Sequence, residues 1–317
     1  MIKLGVILTA ATVAILVAEW FRARKRPLPP HGWMGLLALF GAQFLMFRGV
    51  EPVATYFTPL AWTAYLLLAD AAVFAVNAHS RLREEPRGFF KMALLSVPLW
   101  LIFEAYNLRL HNWTYTSLPD SLAARWFGYA WSFATITPAI FVTAELVESF
   151  GWFERAAQSP PLRIRLNRAA QNALIALGAV VLILPLALPQ RIGARFFFLV
   201  WLGFIFLLDP VNQRLRLPSF LGDLERGRRG RLYSFLISGW ICGWLWEFWN
   251  YWAAAKWIYV FPIFQRWKIF EMPAPGFLGF PPFALECFTM YVFAAWLTSR
   301  KVVAEKKYQI FREQSGE

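Results

Sequence analysis

The sequence predicts an all-α polytopic membrane protein of about nine transmembrane helices. Hydrophobic residues fill 58% of the 317 positions and charged residues only 16%, against roughly 45–50% and about 25% in an ordinary soluble domain. The mean hydropathy is +0.44. The charges fall in short clusters between apolar runs, each run near the ~20 residues a helix needs to cross ~30 Å of hydrocarbon. A compact soluble fold, a disordered chain and a disulfide-rich secreted module are excluded. The net charge of +13 is distributed as membrane orientation requires, so no nucleic-acid partner is expected.

The first span, near 4–20, has Lys3 before its apolar core and Arg22, Arg24, Lys25 and Arg26 after it. No small-x-small cleavage pattern closes it, so a retained anchor is expected rather than a signal peptide. Further spans are expected near 32–50, 57–78, 89–107, 126–149, 172–189, 195–212, 233–252 and 277–298. The stretches 22–26, 81–91, 155–168, 214–231 and 300–312 hold 23 of the 32 Lys and Arg, and the alternate loops hold 9. The excess of positive charge puts the first set in the cytoplasm, with the N-terminus outside a bacterial-type inner membrane and the C-terminus inside. The basic loops, above all 214–231, are expected to touch anionic phospholipid.

Two stretches echo each other. Phe103-Glu104-Ala105-Tyr106-Asn107 precedes Trp113-Thr114-Tyr115, and Trp246-Glu247-Phe248-Trp249-Asn250 precedes Lys256-Trp257-Ile258-Tyr259. The offset is 143 for Glu and Asn and 144 for Trp and Tyr, while Asp70 and Asp209 echo at 139. The expected organisation is an anchor (1–31), a four-helix repeat (32–155), a basic cytoplasmic linker (156–171), a second repeat (172–299) and a cytoplasmic tail (300–317). An even number of helices gives both copies the same direction, related by a pseudo-twofold axis along the membrane normal.

An acid inside a span costs about 2.5–3.5 kcal/mol on insertion scales, so intramembrane acids are where function is sought. Glu104 and Asn107 share one helix face, as do Glu247, Asn250 and Gly243. Glu286 follows Gly279 by seven residues on a helix whose start is rich in Gly and Pro. At 1.5 Å per residue, Glu104 and Glu247 sit roughly 20 Å from the cytoplasmic ends of their spans, and Glu286 roughly 14 Å below the outer surface. The expectation is that Glu104, Glu247 and Glu286 converge in the outer leaflet as catalytic groups. Clustered acids in a low dielectric cannot all ionise, so one keeps a proton to donate. The alternative is that each acid locks helices together. Counting from Gly128 and Gly279 sets Thr135 opposite Glu286. The second copy has the longer loop before its last helix and is the expected site of chemistry.

Seventeen tryptophans form either an interfacial belt or a cavity whose rings stabilise a cation. On the second reading Asn250, Asn107, Trp257, Tyr259, Trp113, Tyr115 and Lys256 contact substrate. Cys242 and Cys287 sit in apolar spans and read as buried thiols. His31, His79 and His111 do not cluster, so neither metal nor cofactor is expected. No phosphate loop, dinucleotide fingerprint or Gly-x-Ser-x-Gly is present in the sequence.

The elements Trp113-Thr114-Tyr115, Trp257-Ile258-Tyr259 and Pro282-Phe283-Ala284-Leu285-Glu286-Cys287-Phe288 resemble those of the integral-membrane carotenoid enzymes. These are the small-domain lycopene cyclases and the related carotenoid hydratase-like proteins. The chain departs from their Pro-x-Glu-Glu element in carrying one Glu at longer spacing. The resemblance implies a duplicated helical fold and an isoprenoid substrate. The expected activity is non-redox: acid-initiated cyclisation, hydration or isomerisation of a polyisoprenoid or carotenoid-like lipid. A proton- or cation-coupled transporter, or a non-catalytic membrane subunit or assembly factor, is the alternative.

Overall fold

Lipid offers backbone polar groups no partners, so a spanning segment must satisfy them internally. The computed structural model, which describes residues 1–153 and 165–315, does so with helices. Helix makes up 76% of it, with almost no sheet. Among the described residues nine helices have fifteen residues or more. They are α1 (Ile2–Ala23), α2 (Pro30–Phe47), α3 (Phe57–Asn77), α4 (Pro86–Leu110), α5 (Leu122–Ser149), α6 (Arg168–Ala187), α7 (Val200–Arg214), α8 (Gly230–Trp252) and α9 (Phe280–Ser315). Most of the expected linker, 156–171, lies outside the described residues.

Local chemistry sets the ends. Pro30 and Pro86 open α2 and α4, where the missing N–H costs nothing. Ser121 and Asn167 cap α5 and α6 through side-chain oxygens that accept from Ala124 N and Ala170 N. Short 3₁₀ turns, Ala194–Leu199 and Ala274–Gly279, lead into α7 and α9.

Seven helical segments are long and apolar enough to cross a membrane, which marks the chain as a helical membrane protein. α2 and α8 fall short of that measure. α2 has only 18 residues, with His31 and Gln43 among them. α8 carries Glu247, Asn250 and five tryptophans, which add area but little hydropathy.

The helix contacts come in matched pairs. α2 packs on α3 and α6 on α7; α3 on α5 and α7 on α9; α4 on α5 and α8 on α9. Across the middle, α5 packs on α8 and α4 on α9. Glycine sets the first of these crossings. A Cβ on Gly35 would stand 2.6 Å from Ala64 O and 2.8 Å from Leu68 N. One on Gly178 would stand 2.8 Å from Gly203 O and 2.4 Å from Leu207 N. Only a missing side chain allows either approach.

The basic end is also built twice. Asp70 Oδ1 accepts from Leu82 N at 3.0 Å, and Asp209 accepts from Phe220 N and Leu221 N at 2.8 Å each. Each aspartate holds the first turn of a short helix, Arg81–Glu84 or Phe220–Glu225. α1 stands apart and braces the bundle. The Trp20 indole donates to Ala72 O at 3.2 Å, and Gly5 sits under the Phe270 ring, where a Cβ would come within 2.7 Å.

Candidate functional site

The end opposite the basic loops carries two short strands, β1 (Trp113–Thr116) after α4 and β2 (Lys256–Tyr259) after α8. They pair antiparallel: Trp113 with Tyr259, Thr114 with Ile258, Tyr115 with Trp257, Thr116 with Lys256. An asparagine clips each strand to its helix. Asn107 Oδ1 accepts from the backbone N of Asn112 and Trp113 at 2.8 and 3.0 Å, and its Nδ2 donates to Trp113 O at 2.9 Å. Asn250 Oδ1 accepts from Trp257 N at 3.0 Å and its Nδ2 donates to Trp257 O at 2.9 Å. The expected substrate contacts of Asn107 and Asn250 are therefore corrected: both amides are committed to backbone.

The clip aims each strand's aromatic side chains at the acid one turn back on the helix. Glu104 Oε1 accepts from the Tyr115 hydroxyl at 2.6 Å, the Trp100 indole at 2.9 Å and the Trp113 indole at 3.3 Å. Glu247 Oε1 accepts from the Tyr259 hydroxyl at 3.0 Å, with the Trp257 indole beside it. Position 243 is where the third donor would stand, 143 residues after Trp100, and it is glycine. The Phe280 ring fills that space, within 2.3 Å of where a Cβ on Gly243 would lie. Glu247 is fully buried and its Oε2 has no hydrogen-bond partner among the described residues. Burial, and then the adjacent carboxylate, push the Tyr115 and Tyr259 phenols well above their ordinary pKa, so both hold their protons.

In front of these pairs lies a cavity of about 560 Å³. Trp62, Trp100 and Phe103 face it from one half of the chain, and Trp201, Trp246 and Phe283 from the other. Of the expected contact residues, Trp113, Tyr115, Lys256, Trp257 and Tyr259 line it. Glu104, Glu247 and Glu286 do not: the first two stand behind the tyrosines. Gly279 permits part of the wall, since a Cβ there would fall 1.7 Å from the Trp201 ring.

Glu286 sits elsewhere. It is fully buried, and its Oε1 accepts from Phe204 N at 2.9 Å, near the start of α7. Among the described residues no three His, Cys, Asp or Glu lie close enough to hold a metal ion. The expected convergence of Glu104, Glu247 and Glu286 is thus corrected, because similar depth does not fix the direction in which each helix points its acid. The counterpart of Glu286 also changes. Ser96 Oγ bonds to Phe133 O and Thr137 N, and Gly239, 143 residues on, abuts Phe280 O and Ala284. These crossings are offset by 147, which sets Ala139, not Thr135, opposite Glu286.

Lys256 lines the cavity, but its ammonium donates to Glu271 Oε1 at 2.8 Å and Tyr251 O at 3.2 Å. Sequence reasoning missed Trp100, which stands one helical turn before Glu104, a legible i, i+4 signal. It also passed over Arg125 and Arg195, the cavity's other two cations, whose signal was their place on the charge-poor side. No family model, curated protein or solved structure matches the chain.

Proposed function

We propose that the chain is a duplicated, nine-span membrane enzyme that acts on a polyisoprenoid or carotenoid-like lipid inside the aromatic cavity. The chemistry is acid-initiated cyclisation, hydration or isomerisation. The observation that carries this reading is the stacking of layers at one site: an aromatic cavity, a tyrosine in its wall, and a buried carboxyl hydrogen-bonded behind that tyrosine. The rings suit an apolar chain and stabilise a developing carbocation.

In the reaction the Tyr259 hydroxyl, which donates to Glu247 Oε1 at rest, turns into the cavity, and Glu247 in its acid form gives its proton to the Tyr259 oxygen as the Tyr259 hydroxyl proton passes to an alkene carbon. The Glu247 carboxylate left behind takes back a proton through Tyr259 when the cation collapses. In a hydration, water adds to the cation and supplies that proton. Tyr259–Glu247 is preferred over Tyr115–Glu104 because three donors already occupy Glu104 Oε1, whereas Glu247 keeps Oε2 without a hydrogen-bond partner among the described residues. The expected role of Glu286 as the acid gives way to a tether between α9 and α7.

The duplication rests on matched helix contacts, matched glycine crossings, matched aspartates and the paired strands. Counting α2 and α8 as spans gives nine crossings. Lipid extracts from a deletion strain, compared with the same strain carrying the restored gene, test the function. Restoration should remove one isoprenoid species and yield another of equal mass or heavier by one water. Identical lipid profiles would refute the proposal, and a solute gradient across vesicles would point instead to the transporter.

A further inference from the structure

The cavity is one-sided in its charge. Among the described residues no Asp or Glu lines it, whereas Arg125, Arg195 and Lys256 do. Lys256 is neutralised by Glu271. Arg125 gives one N–H, on Nε, to Pro119 O, which leaves both terminal nitrogens free to donate. Arg195 is exposed and makes no hydrogen bond or ion pair among the described residues. Two guanidinium groups without a carboxylate therefore border a chamber whose walls are otherwise rings and aliphatic side chains.

Guanidinium presents a planar fork of donors that matches phosphate oxygens two at a time. A neutral hydrocarbon would gain nothing from it. The volume of about 560 Å³ is that of a site for one drug-sized molecule, which suits a single chain better than a two-tailed phospholipid. We propose that the cavity takes an isoprenyl phosphate or diphosphate. Its anionic head lies between Arg125 and Arg195, and its tail runs along Trp100, Trp113 and Phe283. This deepens the proposed function: it rests on an isoprenoid chain occupying the cavity and adds the head group.

The test is binding by the purified full-length protein in detergent, with farnesyl phosphate, farnesol and dioctanoyl phosphatidylglycerol as probes. Farnesyl phosphate should bind about tenfold or more tightly than farnesol, the gain expected of charge-assisted hydrogen bonds. Arg195→Gln and Arg125→Gln should each remove most of that preference and leave farnesol binding unchanged, which also shows that the variants are folded. Equal affinity for the phosphate and the alcohol, or glutamine variants that keep the preference, would overturn the proposal. So would phosphatidylglycerol competing as well as farnesyl phosphate, which would mark ordinary lipid contact at the membrane surface. Conversion is read separately: phosphate-selective binding without turnover removes the enzyme reading and leaves the head-group site. Turnover of a neutral isoprenoid with no phosphate preference does the reverse.

Discussion

Thr114 faces Ile258 at the centre of the only strand pair among the described residues that joins the two halves of the chain. On either side Trp113 meets Tyr259 and Tyr115 meets Trp257, so exchanging the halves returns the same ladder. A twofold axis through the Thr114–Ile258 pair is the simplest operation that does this. It is the relation that the proposed duplication, with both copies running in the same direction through a membrane, would produce.

The tyrosines differ in what depends on them. Tyr259→Phe leaves fully buried Glu247 with one donor fewer, at a cost of about 1–3 kcal/mol for an unsatisfied buried group. Tyr115→Phe leaves Glu104 with the Trp100 and Trp113 indoles and should cost less. Thermal unfolding in detergent should rank Tyr259→Phe below Tyr115→Phe, and the reverse order would contradict the assignment.

Close helix approach is the second point of attack. Gly178→Val should force α6 off α7 and destabilise by about 1–3 kcal/mol, the usual cost of overpacking. Gly41→Ala should be silent, because a Cβ at Gly41 meets nothing within 4 Å. Equal unfolding temperatures for the two variants would show that the crossing has slack.

Alkaline pH probes the two phenols. Their folded pKa values lie above the ordinary one, so the unfolded chain ionises first, near pH 10. Their contribution to stability is complete below that pH and is lost as pH rises beyond it. Tyr259→Phe should flatten part of the decline in an unfolding series against pH. An unchanged slope would mean that Tyr259 ionises freely in the folded protein.

The division of 23 to 9 positive charges predicts that a reporter fused after Ser315 is active in the cytoplasm. Periplasmic activity would mean one span more or fewer.

The helices were legible because each is an apolar run with charges at its ends, a pattern set by the solvent alone. The Trp-x-Tyr echo was legible, since it recurs at nearly the spacing of Glu and Asn, but its folding into paired strands was not, because the pairing joins segments far apart in the chain. The role of Asn107 and Asn250 was not, because an amide that binds backbone looks in sequence like one that binds substrate. Nor was the place of Glu286, which depends on how α9 is rotated against α7. The crossings at Gly35 and Gly178 share the 143-residue offset of the glutamates, but glycine is too common for that to stand out before the contacts are seen.

Glu286→Gln keeps an oxygen to accept from Phe204 N and should leave conversion largely intact, whereas Glu247→Gln removes the transferable proton and should abolish it. If Glu286→Gln alone were inactive while stably folded, the proton would come from α9 and the assignment to Tyr259–Glu247 would fail.

The most direct measurement follows the proton itself. Membranes holding the protein are incubated in D₂O with the total isoprenoid extract of the deletion strain, and the product is analysed by mass spectrometry. The hydroxyl and carboxyl protons of Tyr259 and Glu247 exchange with solvent between turnovers, so protonation of an alkene by Glu247 through Tyr259 should leave deuterium bound to carbon in the product. Glu247→Gln membranes should give none. A product formed without carbon-bound deuterium would contradict acid initiation and with it the account of the cavity as the site of that chemistry.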